Sequence, residues 1–363
     1  VFAVMSSLVH RLLFTILDLL PPSIGILTGG LYALTVNPLR VLQLIYGRPF
    51  TPKIIGLNSI SELRNVVING AAHSVLIRGV NRHAPVILVL HGGPGATDIP
   101  FSSAYGKHLE QKFVVVHYDQ RGACKSAALN AKCANFQNTL TVEQHIDDCV
   151  KLSQWLVHDS GLAGTKDGLY LIGGSWGSML ALFTIKRIPR LFKKCILRGL
   201  VTDTPSSESQ GMKFLRQQML HFQYSTKAIN DVQTLGYPYG TDIDRLLCQR
   251  EWLTSLGGMS YNDGDSAGPI PRWQLSHSFS TALFLAPEVS FSEIVGMKPA
   301  MVATLRGMWP DVERTNMLAA VDGCVDVAVC VVHGRHDHCT AHELVLEFMT
   351  NLAAPSKSVV WFE

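Results

Sequence analysis

The sequence predicts an α/β fold: a mostly parallel sheet with helices on both faces and a helical cap inserted late in the chain. Three observations predict it. Continuous apolar runs recur at Pro85–Leu90 (PVILVL), Phe113–Tyr118 (FVVVHY), Leu169–Ile172 (LYLI), Cys195–Leu200 (CILRGL) and Val325–Val332 (VDVAVCVV). Such runs mark strands buried on both faces. Helix-period segments alternate with them, which is the order of a parallel sheet covered on both sides. From about residue 204 to 318 the alternation lapses, over a stretch far too long for an ordinary loop.

Residues 1–50 carry only four charges, Arg11, Asp18, Arg40 and Arg48, and none falls between Leu19 and Leu39. That run is long enough to cross a bilayer, which takes about 20 apolar residues. Pro21-Pro22, Gly29-Gly30 and Asn37-Pro38 interrupt it, so an extension packed on the domain or lying on a membrane surface is the competing reading. Either way residues 1–40 are the candidate for membrane association. If the run spans, Arg40, Arg48 and Lys53 on its far side put the rest of the chain in the cytoplasm.

Next come two short strands, Ser61–Ile68 and His73–Arg78, around the hairpin signal Asn69-Gly70. Val142–His158 reads as a helix whose apolar set is Val142, Ile146, Cys149, Val150, Leu152 and Trp155. A second helix, Ser178–Ile188, follows the run LYLI. Within 204–318, helical patterns at Met212–Tyr224 and Leu283–Val295 flank a loop over Leu256–Gly268, with glycines at 257, 258, 264 and 268. Ala341–Asn351 reads as a helix and Lys357–Glu363 as a last strand. The order is therefore an apolar extension (1–50), a first part of the core (51–203), the cap (204–318) and the last part of the core (319–363), truncated at its C-terminal end.

Composition excludes several classes. The 363 residues are 47% hydrophobic and 16% charged, the reverse of a disordered chain. A net charge of +3 is too small for a nucleic-acid binder. The eight cysteines form no CxxC pair and no finger-like cluster with histidine, so neither a metal centre nor another cofactor is expected. Free thiols fit a reducing compartment.

Chemistry-bearing motifs fall at strand ends. Gly173-Gly174-Ser175-Trp176-Gly177 contains G-x-S-x-G between a strand and a helix, the setting of a nucleophile elbow. His91-Gly92-Gly93-Pro94-Gly95 follows the strand PVILVL. A glycine turn there aims a backbone N–H at a reacting carbonyl oxygen, and Gly93 with the N–H of Trp176 are the oxyanion candidates. Gly334-Arg335-His336-Asp337 ends a later strand, and Asp337 fits the chain order serine, acid, histidine.

HGGPG, then Asp119-Gln120-Arg121-Gly122, then GGSWGS, then G-R-x-D, resembles the motif order of the proline iminopeptidases of the α/β-hydrolase fold. The resemblance covers roughly residues 60–363. It implies an eight-stranded core with a helical cap, and release of an N-terminal residue, often proline, from a short peptide. It matches Ser175 to the nucleophile, Asp337 to the acid, and Gly93 and Trp176 to the oxyanion donors.

Three departures stand out. Cys124 replaces a family glycine after D-Q-R-G. The cap acid that meets the substrate's amino group has no recognisable signature, and Glu251, Glu288 and Glu293 are candidates. The third concerns the base. His338 and His342 lie too close to Asp337, and His91 belongs to the oxyanion turn, so the catalytic histidine is expected beyond Glu363, in a loop that a fragment would lack. The expected function is a serine hydrolase of the prolyl aminopeptidase type acting on a small peptide, membrane-associated or cytoplasmic. The alternatives are a membrane-associated carboxylesterase or lipase with an ester substrate, and a non-catalytic binding protein.

Overall fold

The computed structural model describes residues 22–222, 224–259 and 272–363. Helices α1 (Pro22–Val36) and α2 (Pro38–Tyr46) open it. Strands β1 (Ile60–Ile68), β2 (Ala71–Gly79) and β3 (Val86–Leu90) follow, then short helices α3 (Ile99–Tyr105) and α4 (Lys107–Glu110). After these come β4 (Val114–Tyr118), α5 (Cys124–Asn130), α6 (Val142–His158), β5 (Leu169–Gly174), α7 (Trp176–Arg187) and β6 (Phe192–Arg198). Helices α8 (Thr204–His221), α9 (Thr226–Thr234), α10 (Ile243–Ser255), α11 (Arg272–Leu285) and α12 (Phe291–Val312) form the cap. The chain then returns through α13 (Met317–Ala320), β7 (Ala328–Gly334), α14 (His342–Asn351) and β8 (Lys357–Phe362).

The eight strands make one sheet in the order β1-β2-β4-β3-β5-β6-β7-β8. The hairpin β1–β2 joins antiparallel, turning at Asn69 and Gly70, both at positive φ. From β4 to β8 every pairing is parallel. All five residues of β3 are buried, as a central parallel strand needs. One core gathers Leu88, Leu171, Leu180, Cys195 and Val331 on one face, and a smaller one gathers Ile87, Val89 and Val115 on the other. This order brings the carboxyl ends of β3, β5, β6 and β7 side by side, the edge where ligands bind in open α/β sheets.

Several boundaries differ from the expectation for local reasons. The pattern Leu283–Val295 is two helices. Pro287 falls between them, and Ser290 starts α12 with a capping box closed by Glu293. The helix expected from Met212 begins at Thr204, because Asp203 caps it and Pro205 occupies its first turn. The strand expected at 195–200 is shifted to 192–198, and that expected at 325–332 to 328–334.

The uncharged run Leu19–Leu39 is not one helix. Its described part ends at Val36, where Asn37 accepts from the Arg40 N–H and Pro38 starts α2. No helix among the described residues is long and apolar enough to cross a membrane. The described part of α1, 15 residues, rises about 22 Å. Residues 1–21, and most of the loop expected at 256–268, lie outside the described residues.

Candidate active site

The site starts at the junction of β5 and α7. Ser175 is held at φ 52 and ψ −124, a conformation that L residues rarely adopt. Close packing imposes it. A Cβ on Gly173 would come 2.2 Å from the Gly177 carbonyl oxygen, and one on Gly177 would come 2.3 Å from that of Leu90. The Ser175 N–H donates to the Arg198 oxygen on β6 (3.0 Å). Ser178 Oγ donates to the Ser175 oxygen (2.6 Å) and accepts from the Val201 N–H (3.1 Å). The result is an exposed serine between buried neighbours.

The glycine turn after β3 passes directly beside it. A Cβ on Gly92 would sit 3.3 Å from that of Ser175, and Gly93 is at φ 118. The loop after β4 braces both pieces. Gln120 donates from its backbone N–H to His91 Nε2 (3.0 Å) and from Nε2 to the His91 oxygen (2.9 Å). Its Oε1 accepts from Trp176 Nε1 (2.8 Å). Arg121 is locked to Asp148 of α6 through Nε (2.7 Å) and Nη2 (3.0 Å). Burial pushes the Asp119 pKa up to about 7, against hydrogen bonds from Thr97 and the Lys125 N–H. Cys124, the departure from glycine, stands at φ 30 with its buried thiol in a cluster with Leu283, Ala286 and Met297.

Asp337 lies in the turn after β7. Its Oδ1 accepts the N–H groups of Cys339 (2.9 Å) and Thr340 (2.8 Å), and its Oδ2 accepts the Thr340 hydroxyl (2.7 Å). The end of β6 separates it from the serine: Arg198 accepts from Ser175, and a Cβ on the next residue, Gly199, would be 3.9 Å from Asp337 Oδ2. Gly93, Ser175, Trp176, Cys339 and Thr340 all line one cavity of about 230 Å³. Gly93, Ser175 and Trp176 thus meet at one mouth, and the turn that carries Asp337 reaches it through Cys339 and Thr340, while Asp337 itself is not among the lining residues.

The rest of the lining comes mostly from the cap and is largely apolar: Leu246 and Leu247 of α10, and Met301, Leu305, Trp309 and Val312 of α12. Besides Thr204 and Ser207 of α8, its polar lining includes a pair that the sequence reading missed. Glu208 of α8, buried, holds Arg250 of α10 through both carboxylate oxygens, and the guanidinium lies 5.6 Å from the Trp309 ring centroid. Burial lowers the Arg250 pKa, but the carboxylate of Glu208 outweighs that and raises it overall. Glu208 carries no local signature; only its place one turn into the first cap helix, after β6, could have pointed to it. The three acids considered in its stead sit elsewhere. Glu288 accepts from Thr51, and Glu293 caps α12 and pairs with Lys125. Glu251 is not among the described residues lining the cavity.

No histidine lines this cavity among the described residues. His91 has both nitrogens engaged, donating from Nδ1 to the Gly92 oxygen and accepting at Nε2. His333 is likewise committed, donating to the Thr340 oxygen (2.6 Å) and accepting the Leu200 N–H (3.3 Å). His338 is stacked on Phe214 at 4.0 Å. No group of three or more His, Cys, Asp or Glu is placed to hold a metal among the described residues.

Sheet order, strained serine turn and adjoining glycine turn define a hydrolase of the α/β-hydrolase architecture. The chain belongs to that family: the family model described as "alpha/beta hydrolase fold" matches residues 85–362, more than half of its length. A probable aminopeptidase of Bacillus subtilis, YbaC, is 26% identical over 306 residues, covering 84% of this chain and 89% of that protein. A proline iminopeptidase of Neisseria meningitidis is 31% identical over 123 residues, about a third of each chain. The crystal structure of a proline iminopeptidase-related protein from Thermus thermophilus shares the fold with a TM-score of 0.55 at 18% identity, covering 84% of this chain and 89% of that one.

Proposed function

We propose that the protein is a serine hydrolase that releases an N-terminal residue, in the manner of a prolyl aminopeptidase, through an acyl-enzyme. Ser175 is the nucleophile. The observation that carries this reading is its exposure on a strained turn at the cavity, beside the Gly93 backbone. The N–H groups of Gly93 and Trp176 take the developing oxyanion, worth about 10²- to 10³-fold per donor in comparable sites. Asp337 orients the histidine base that this mechanism requires. The parallel pairing of β8 with β7, Gly334 opposite Phe362, brings the end of β8 to the sheet edge that carries Asp337. The base takes the serine proton and returns it to the leaving amine; water then reverses the sequence.

The aminopeptidase reading is supported by the name of the Bacillus relative and by Glu208. Arg250 uses one direction on each Glu208 oxygen, and a carboxylate offers about four acceptor positions, so a substrate ammonium can share the pair. The apolar remainder suits a prolyl or aliphatic side chain. A second reading, a carboxylesterase, is favoured by one observation, namely that the one buried acid among the described residues lining the cavity is already matched by an arginine.

Turnover of proline p-nitroanilide against a p-nitrophenyl ester panel tests the proposal. Anilide turnover abolished by Ser175→Ala is expected. Turnover of esters alone moves the assignment to the esterase, and retention of activity by Ser175→Ala overturns the mechanism.

A further inference from the structure

Of the first two described helices, α1 packs inside out for a protein in water. On α1 the residues turned to the protein are small: Gly25, Gly29 and Ala33, one per turn, are buried. They lie against α11, where the Thr281 hydroxyl donates to the Gly29 oxygen at 3.5 Å and the Phe284 ring comes 3.3 Å from where a Gly30 Cβ would stand. The large residues face outward, with Leu27 67% and Leu31 63% exposed. In α2, Leu39 and Leu42 continue the same exposure. Water-soluble helices bury their large apolar side chains and expose polar ones. Small residues at the helix contact with bulky ones outside is the arrangement found where the surroundings are as apolar as leucine.

The polar groups of this region fit the same surroundings. The helix α1 carries no charged residue, and its two threonines turn their hydroxyls back onto its own backbone, Thr28 to the Ile24 oxygen (2.9 Å) and Thr35 to the Tyr32 oxygen (2.7 Å). Hydroxyls satisfied internally do not need water. The guanidinium of Arg40 is turned inward onto the carbonyls of Leu285, Ala286 and Val289, which rivets α2 to the cap. Among the described residues from 22 to 53, exposed charge appears only after the helices, at Arg48 and Lys53. From residue 19 to residue 61 there is no acid, so the charges that follow the apolar face along the chain, Arg48 and Lys53, are basic.

We infer that this face docks on an anionic lipid surface, with α1 and α2 lying in the interface rather than crossing the membrane. The helix break at Asn37-Pro38 and a face of leucines with a basic border match an interfacial element. The same helices rest on the segment that leads into α12, which lines the cavity, so docking holds the cap against the bilayer. A second copy of the chain as occupant would leave the one-signed basic flank of each partner facing its like. The inference does not depend on the serine chemistry.

Flotation of the full-length protein with vesicles of phosphatidylcholine and phosphatidylserine tests it. Leu27 and Leu31 are exposed, so Leu27→Glu/Leu31→Glu should melt like the parent. The parent is expected to float with the vesicles, and the double variant to lose about tenfold or more in partitioning. Arg48→Glu/Lys53→Glu should weaken binding to the phosphatidylserine vesicles more than to phosphatidylcholine alone. A parent that stays with the unbound fraction, or a Leu27→Glu/Leu31→Glu protein that floats equally well, overturns the inference. So does a parent dimer that this variant splits while neither form binds vesicles, since the face then serves a second copy.

Discussion

The indole Nε1 of Trp176 donates to Gln120 Oε1 at 2.8 Å, and the same amide donates to the His91 carbonyl at 2.9 Å. One buried side chain thereby joins the residue after the candidate nucleophile to the turn that carries Gly93. The two proposed oxyanion donors lie just past the ends of β3 and β5, far apart in sequence, and Gln120 links the two segments. In Gln120→Ala, two buried polar partners lose their mate, at about 1–3 kcal/mol each. We predict that kcat falls about 10- to 100-fold with KM little changed, since the loss is felt where charge develops. Steady-state kinetics with a melting curve of the same variant check this, and a raised KM at constant kcat would count against it.

The pair Glu208–Arg250 separates the two enzyme readings. If Glu208 meets the substrate ammonium, Glu208→Gln lowers kcat/KM for proline anilide by about 10- to 100-fold, the value of a charged hydrogen bond. Ester turnover should change little. Equal losses on both substrates would mean that the pair only holds α8 to α10.

Gly177 admits no side chain, because Leu90 and His91 backbone oxygens would lie 2.3 and 2.8 Å from its Cβ. Backbone in a central strand cannot yield as a side chain does. Gly177→Ala is expected to destabilise by about 3 kcal/mol, the upper part of the overpacking range, and to abolish activity by parting β3 from the serine turn. Denaturant unfolding measures the first and an activity assay the second.

Mild acid should destabilise the fold through His117 on β4. Burial, chiefly, pushes its pKa down to about 4, with Asp98 opposing and Arg198 assisting. The unfolded chain takes up this proton near pH 6.5 and the folded one does not. The contribution is therefore complete above pH 6.5 and declines as pH falls toward 4, by about 1.4 kcal/mol per unit. His117→Gln should flatten that part of the stability profile. An unchanged slope between pH 6.5 and 4 would refute the assignment.

The legible part of this molecule was whatever depends on local pattern. Strand runs such as PVILVL and LYLI are continuous because both faces are covered, and the helix Val142–His158 matches its amphipathic stretch residue for residue. The glycines of HGGPG and GGSWGS announced close backbone approaches that the structure contains. The unread part depends on three-dimensional encounter. Nothing near Glu208 signals that Arg250, 42 residues away, will bind it in the cavity. Glu293 looked as eligible, but a capping box and Lys125 use it. The uncharged run Leu19–Leu39 reads by composition as a span; the Asn37-Pro38 cap, a matter of two residues, breaks it.

The most direct test of the account is mass spectrometry of the full-length protein after treatment with a fluorophosphonate probe. A single adduct on the peptide containing Ser175, absent from Ser175→Ala and slowed in Gln120→Ala, is the predicted result. A folded protein that hydrolyses its substrate yet carries no adduct at Ser175 would contradict it.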